Sequence, residues 1–202
     1  MNRTNIEWCD FTWNPIVGCK IGCPYCWARR YFNFRFGTTG NFSIPELKAK
    51  RLGYPYSTKK GCKIFVCDMG DIFSPGVKDE WIEQVIKVVR ENRQHTFQFL
   101  TKRPIRYRDF TWPENVWLGT TVDHASNSGR IHDLLSCGCK YVSFVVVEPL
   151  LSSMSGVDFS GVDFVFVGAM TGPDAIEPKK EWIHSIVHHN IIFKENIKPF
   201  LY

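Results

Sequence analysis

The sequence predicts an α/β fold, a partial or compact (β/α) barrel. Short apolar runs alternate with helix-patterned segments, which argues for parallel β/α units. The runs are almost continuously apolar, as expected of strands covered on both faces. Polar and charged residues stand just after the runs, and in a barrel those C-terminal strand ends form the active face. An open doubly wound sheet satisfies the same alternation. The 202 residues are read as a single domain, 1–202, with an inserted loop region over residues 33–61.

The elements follow in order. Residues 6–17 suggest a short first strand, with Asn14-Pro15 as a turn. A cysteine-rich loop follows, and Ala28 to Phe32 begin a helix. Within the insertion, residues 44–51 are read as a short helix. Residues 63–69 form a strand, and residues 78–92 a helix with Trp81, Val85, Val88 and Val89 near one face. Strands are predicted at 95–101, 116–122, 140–147 and 163–168. Helices are expected from Ile105, over 125–136 and over 182–190, and a last strand over 191–194.

Hydrophobic residues make up 44% of the chain, enough for a packed core and too many for disorder. No apolar run approaches the length of a membrane span, so no membrane partner is expected. The start lacks the apolar core of a signal peptide, which makes a cytoplasmic location the expectation. The net charge of +5 permits contact with a nucleic acid or another anion and is equally satisfied by ordinary surface charge. No P-loop, dinucleotide fingerprint or nucleophile elbow occurs, which weakens nucleotidase, dehydrogenase and hydrolase readings.

The chemistry concentrates in Cys19-Lys-Ile-Gly-Cys23-Pro-Tyr-Cys26, a C-x3-C-x2-C spacing with glycines before the first two cysteines. Thiolates prefer zinc, Cu(I) or iron–sulfur clusters. A structural zinc site takes four protein ligands, and no fourth stands at zinc-finger spacing. A [4Fe–4S] cluster held by Cys19, Cys23 and Cys26 leaves one iron open. Three packed thiols, or a zinc site completed from elsewhere, remain the alternatives. Of the other cysteines, Cys137 and Cys139 raise a weak case for an auxiliary metal.

The spacing resembles the signature loop of the radical S-adenosylmethionine (SAM) superfamily. The wider chain resembles the phage Gp37/Gp68-like family through Thr12-Trp-Asn-Pro, Leu100 to Pro104, Asn115 to Gly119, Val147 to Leu150 and Phe193-Lys194. The resemblance implies a barrel of radical SAM type, with SAM chelated by the open iron and cleaved by one electron from a donor such as a flavodoxin or ferredoxin. It implies Tyr25 beside the adenine. The superfamily's Gly-Gly-Glu-like segment is replaced here by Asp68-Met69-Gly70-Asp71, where either acid can accept from the SAM ammonium. Gly70 permits close approach of the backbone to a ligand.

Further site residues come from strand ends. Thr101 and Lys102 follow one run, and Lys102 can pair with a carboxylate or phosphate. Thr120 and Asp123 can meet ribose hydroxyls, and Gly168 ends another strand. Glu148 follows a buried run, where an acid is costly unless paired, and is read with Lys102 and Lys194 as catalytic. Lys194 is also a candidate structural partner of Glu148. The sequence thus predicts a radical SAM enzyme acting on an unidentified substrate, with nucleic acid one candidate. The rival is a metal-stabilised nucleic-acid-binding protein without radical chemistry, suggested by the basic and aromatic residues of 29–60.

Overall fold

The computed structural model describes residues 1–37, 40–138 and 141–202. It is a mixed α/β structure with a mostly parallel sheet of eight strands, and a separate two-stranded sheet accompanies it. The chain divides into two compact units, Met1–Thr101 with Asp109–Trp117, and Lys102–Arg108 with Leu118–Tyr202.

In the first unit, β1 (Asn2–Arg3) pairs antiparallel with β2 (Phe11–Trp13). Next comes β3 (Ile16–Val17), then α1 (Trp27–Phe36), and then β4 (Glu46–Leu47), which pairs antiparallel with β3. Residues 44–51 are therefore a short strand and the start of a 3-10 helix, Ala49–Gly53, rather than a helix throughout. Strand β5 (Lys63–Val66) lies parallel between β2 and β6 (Thr96–Thr101). Trp13, Ile64, Phe97 and Phe99 are fully buried, and Trp13 and Phe97 pack with ring centroids 5.7 Å apart. Helix α2 (Asp79–Glu91) joins β5 to β6. Its buried stripe is Ile82, Val85, Ile86, Val88 and Val89. Trp81, placed on that stripe by the sequence pattern, lies beside it, under the Lys78 ammonium.

Strand β7 (Val116–Thr121) leads into the second unit. A 3-10 turn, Ala125–Asn127, precedes α3 (Gly129–Ser136), so the helix expected over 125–136 is split in two. Strand β8 (Val142–Val147) is buried along nearly its whole length and pairs parallel with β9 (Phe164–Val167). Helix α4 (Lys180–His184) is shorter than the expected 182–190 element, and β10 (Ile191–Phe193) pairs parallel with β9. The segment from Pro104 is likewise a 3-10 helix, Pro104–Asp109. A Cβ at Gly119 would fall 2.5 Å from the buried Phe144 ring, so only glycine lets that ring lie against β7.

Candidate functional site

The cysteine loop in the first unit is clamped along its backbone. Gly18 donates to the Met69 carbonyl at 2.9 Å, Cys19 to the Phe42 carbonyl at 2.7 Å, and Lys20 to Ser74 Oγ at 2.7 Å. Gly18 has φ +99°, and a Cβ there would come within 2.7 Å of the Ile44 carbonyl. Its partner in an isolated parallel bridge is Gly70, whose own Cβ would meet the Gly18 carbonyl at 2.8 Å. Two glycines thus press the loop onto the connection after β5. The loop then turns, with Cys26 N–H donating to the Cys23 carbonyl. Cys26 is the N-cap of α1, and its sulfur accepts from Arg29 N–H at 3.4 Å.

Burial pushes the Cys19 thiol up to about 11, with Asp71 and Cys23 adding to the rise. A bare Cys19 is therefore a neutral thiol, and a bound metal would displace its proton. Among the described residues, no group of three or more His, Cys, Asp or Glu side chains is placed to hold a metal ion. One ion with bonds of about 2.3 Å needs its sulfurs converging on a point. A cluster is gripped at a different iron by each sulfur, so its ligands stay apart. Cys19, Cys23 and Cys26, all half-buried on one clamped loop, offer three sulfur donors of that kind.

The remaining candidates of this unit gather behind the loop. Asp68 is held by Asn14, whose Nδ2 donates to it, while Asn14 Oδ1 accepts from Met69 N–H at 2.9 Å. Burial raises the Asp68 carboxyl above its ordinary value, with hydrogen bonds from Asn14 and Thr12 opposing the rise. Asp71 Oδ1 accepts from Phe73 N–H at 2.9 Å and from the Thr101 hydroxyl at 2.8 Å. Asp71 and Thr101 are thus brought together at the ends of neighbouring strands. Tyr25 is half-buried within the loop.

Asn14, which holds both Asp68 and the Met69 N–H, was not singled out by sequence reasoning, because Asn14-Pro15 reads only as a turn. Cys67 was likewise unmarked. It takes φ 63°, the one positive φ outside glycine among the described residues, directly before Asp68. Strained backbone of this kind gathers at functional sites.

The second unit holds two charged clusters at strand ends. After β7, Asp123 accepts from Lys102 Nζ at 3.1 Å, Arg130 Nη1 at 3.3 Å and Asn127 Nδ2 at 2.8 Å. Thr120 is fully buried beside them in sequence. After β8, Glu148 receives Lys194 Nζ on both oxygens, at 2.9 and 2.8 Å, and Asn196 Nδ2 at 3.1 Å. A Cβ on Gly168 would strike Glu148 Cδ at 2.6 Å, so Gly168 makes room for the carboxylate.

Other cysteines are occupied. Cys137 Sγ donates to the Asp133 and Pro104 carbonyls, Cys62 Sγ lies 3.3 Å from His95 Nδ1, and burial pushes Cys67 up to about 12. Cys139 lies outside the described residues. No helix among the described residues is long and apolar enough to cross a membrane.

A family profile described as a protein of unknown function, DUF5131, matches residues 3–200. The chain belongs to that family. No curated protein matches it. Among solved structures, it is similar to spore photoproduct lyase complexed with dinucleoside spore photoproduct, at 12% identity and TM-score 0.55 over 83% of this chain and 58% of that one. A cysteine-to-serine mutant of the lyase gives 12% identity and TM-score 0.57 over the same shares. A double mutant with bound AdoMet and dinucleoside spore photoproduct gives 11% and 0.55 over 84% and 58%. The DUF5131 chain spans under two thirds of those structures, and the likeness establishes a fold similar to that of spore photoproduct lyase.

Proposed function

We propose that this DUF5131 protein is a radical SAM enzyme. The observation that carries the reading is the three-thiol loop, clamped by glycines against a strand end, in a fold similar to a lyase with bound AdoMet. Cys19, Cys23 and Cys26 would hold a [4Fe–4S] cluster. When bound, that group would supply the one electron that cleaves SAM reductively, and the adenosyl carbon radical released from SAM would take the hydrogen atom from substrate.

The chain's own residues bind and orient. Tyr25 borders the cofactor from within the loop. Asp68, aimed by Asn14, offers a carboxylate for the SAM ammonium, with Gly70 and Asp71 fixing the backbone around it. Thr101, hydrogen-bonded to Asp71, serves the cofactor's polar groups within the first unit. Glu148, Lys102 and Lys194 are the residues for substrate, each prefixed in an ion pair that restrains its geometry. A one-electron donor such as a flavodoxin or ferredoxin and a reducing, cytoplasmic compartment complete the reading.

Anaerobic reconstitution tests it. The expected result is about four irons per chain and conversion of SAM to 5'-deoxyadenosine, both lost in Cys23→Ala. Normal iron loading without reductive SAM cleavage overturns the enzyme. Zinc alone at the loop supports instead the metal-stabilised nucleic-acid-binding protein, which the basic segment 29–60 favours.

A further inference from the structure

We propose that a cleft in the first unit, beside the cysteine loop, is a binding site for single-stranded nucleic acid. This names a substrate class for the enzyme proposed above, and rests on that reading for the reaction but not for the binding.

Charge is concentrated there. Residues 27–60 contain eight lysines and arginines and one acid, Glu46, whereas the whole chain nets only +5. The rest of the protein is therefore slightly acidic, and the positive field belongs to this segment. The same segment supplies most of the wall of a cleft of about 1180 Å³, whose basic side chains are Arg35, Lys48 and Arg51 and whose acids are Glu46 and Asp68. That exceeds the ~300–1,000 Å³ typical of small-molecule pockets, which leaves room for a nucleotide beside the SAM that Asp68 would hold at one end.

Its wall is a helical stripe. Trp27, Tyr31 and Arg35 recur every four residues along α1 and line the cleft. Tyr54 and Arg51 line it from the 3-10 segment and its end, and Lys48 lines it just before, paired at 2.7 Å with Glu46 on the same wall. Trp27, Tyr31 and Tyr54 keep 48%, 52% and 43% of their surface exposed, so three rings on one cleft are open to a ligand. Phe32, which also lines the cleft, packs on Phe36 and Phe42. Arg51 is held in place by Asn14 O at 3.1 Å and keeps its charge available.

Exposed rings interleaved with cations suit unstacked bases with phosphates alongside. Duplex readers present a projecting helix or ribbon to a groove, whereas these rings line a concavity. A membrane-surface helix would likewise project its apolar residues outward.

Fluorescence anisotropy with a single-stranded oligothymidylate of ~12 nucleotides tests this, on protein with and without reconstituted cluster. The expected result is saturable binding that weakens as salt rises. Tyr31→Ala and Arg35→Glu each weaken it about tenfold. Both side chains are exposed, so circular dichroism should stay unchanged. Tyr56→Ala, exposed on the same segment but outside the cleft, leaves binding intact. Absence of saturable binding overturns the proposal. So does equal weakening by Tyr56→Ala, or equal or tighter binding to a hairpin duplex or anionic vesicles. Oligonucleotide binding without SAM cleavage sinks the radical reading alone, and SAM cleavage without binding sinks this one alone.

Discussion

Lys194 Nζ reaches both carboxylate oxygens of Glu148, at 2.9 and 2.8 Å, from the strand end that follows β10 to the one that follows β8. Both side chains are mostly withdrawn from water, at 13% and 23% exposure. Removing one partner strands the other charge, which costs more than the pair itself is worth. Lys194→Met should lower stability by about 2–4 kcal/mol in urea titration. Glu148→Gln combined with Lys194→Met should recover much of that loss, since no unpaired charge remains. Two single losses that add fully in the double variant would mean the pair is energetically uncoupled.

Gly70→Ala should separate loop from sheet. The new Cβ would sit 2.8 Å from a backbone carbonyl, that of Gly18, which cannot swing away like a side-chain tip. A cost of about 1–3 kcal/mol is expected, with iron per chain after reconstitution falling in step. Unchanged iron loading in a folded Gly70→Ala protein would separate the glycine contact from the cysteine site.

The cysteines should divide sharply. Cys19→Ala, Cys23→Ala and Cys26→Ala should each lose bound iron. Cys62→Ala, whose thiol faces His95, and Cys137→Ala, whose thiol donates to backbone carbonyls, should keep it. Iron lost from all five alike would point to general unfolding instead.

Asp68 should make stability depend on pH. Burial raises its folded pKa above the ordinary 3.8, so its protonated form is the one the fold prefers. That contribution is present in acid, below the ordinary value, and is lost as pH rises through the raised one. Asp68→Asn removes the ionisation. It should therefore raise the urea midpoint at neutral pH and change it little in acid. A lower midpoint at neutral pH would show that the ionised carboxylate is the favoured species.

Asp123→Asn should withdraw the acceptor shared by Lys102 and Arg130. Two cations then face each other across a neutral amide, and a loss of about 2–3 kcal/mol is expected from denaturant titration. Stability unchanged within error would make the cluster a solvated surface arrangement.

Much of the architecture was legible along the chain because apolar periodicity is local. The run Val142 to Val147 suits a strand covered on both faces, and β8 is buried accordingly and pairs parallel with β9. The α2 stripe was legible too, but phase errors of one residue put Trp81 where Ile82 lies. Short irregular segments were less legible. Residues 44–51 have helical composition, yet β4 forms because Glu46 and Leu47 find Val17 and Ile16 opposite them. That pairing is long-range, and no local propensity encodes it.

The sequence by itself determined the three-thiol loop, the strand-end polar residues and the α/β alternation, since each is written in spacing over a few residues. Only the tertiary structure decided that Gly18 and Gly70 lie back to back, that Asn14 aims Asp68, and that Lys194 belongs to Glu148. Those relations join residues 46 to 54 positions apart. They exist because folding brings separate strand ends within a few ångströms, where close contact and the cost of a buried unpaired charge select the partner.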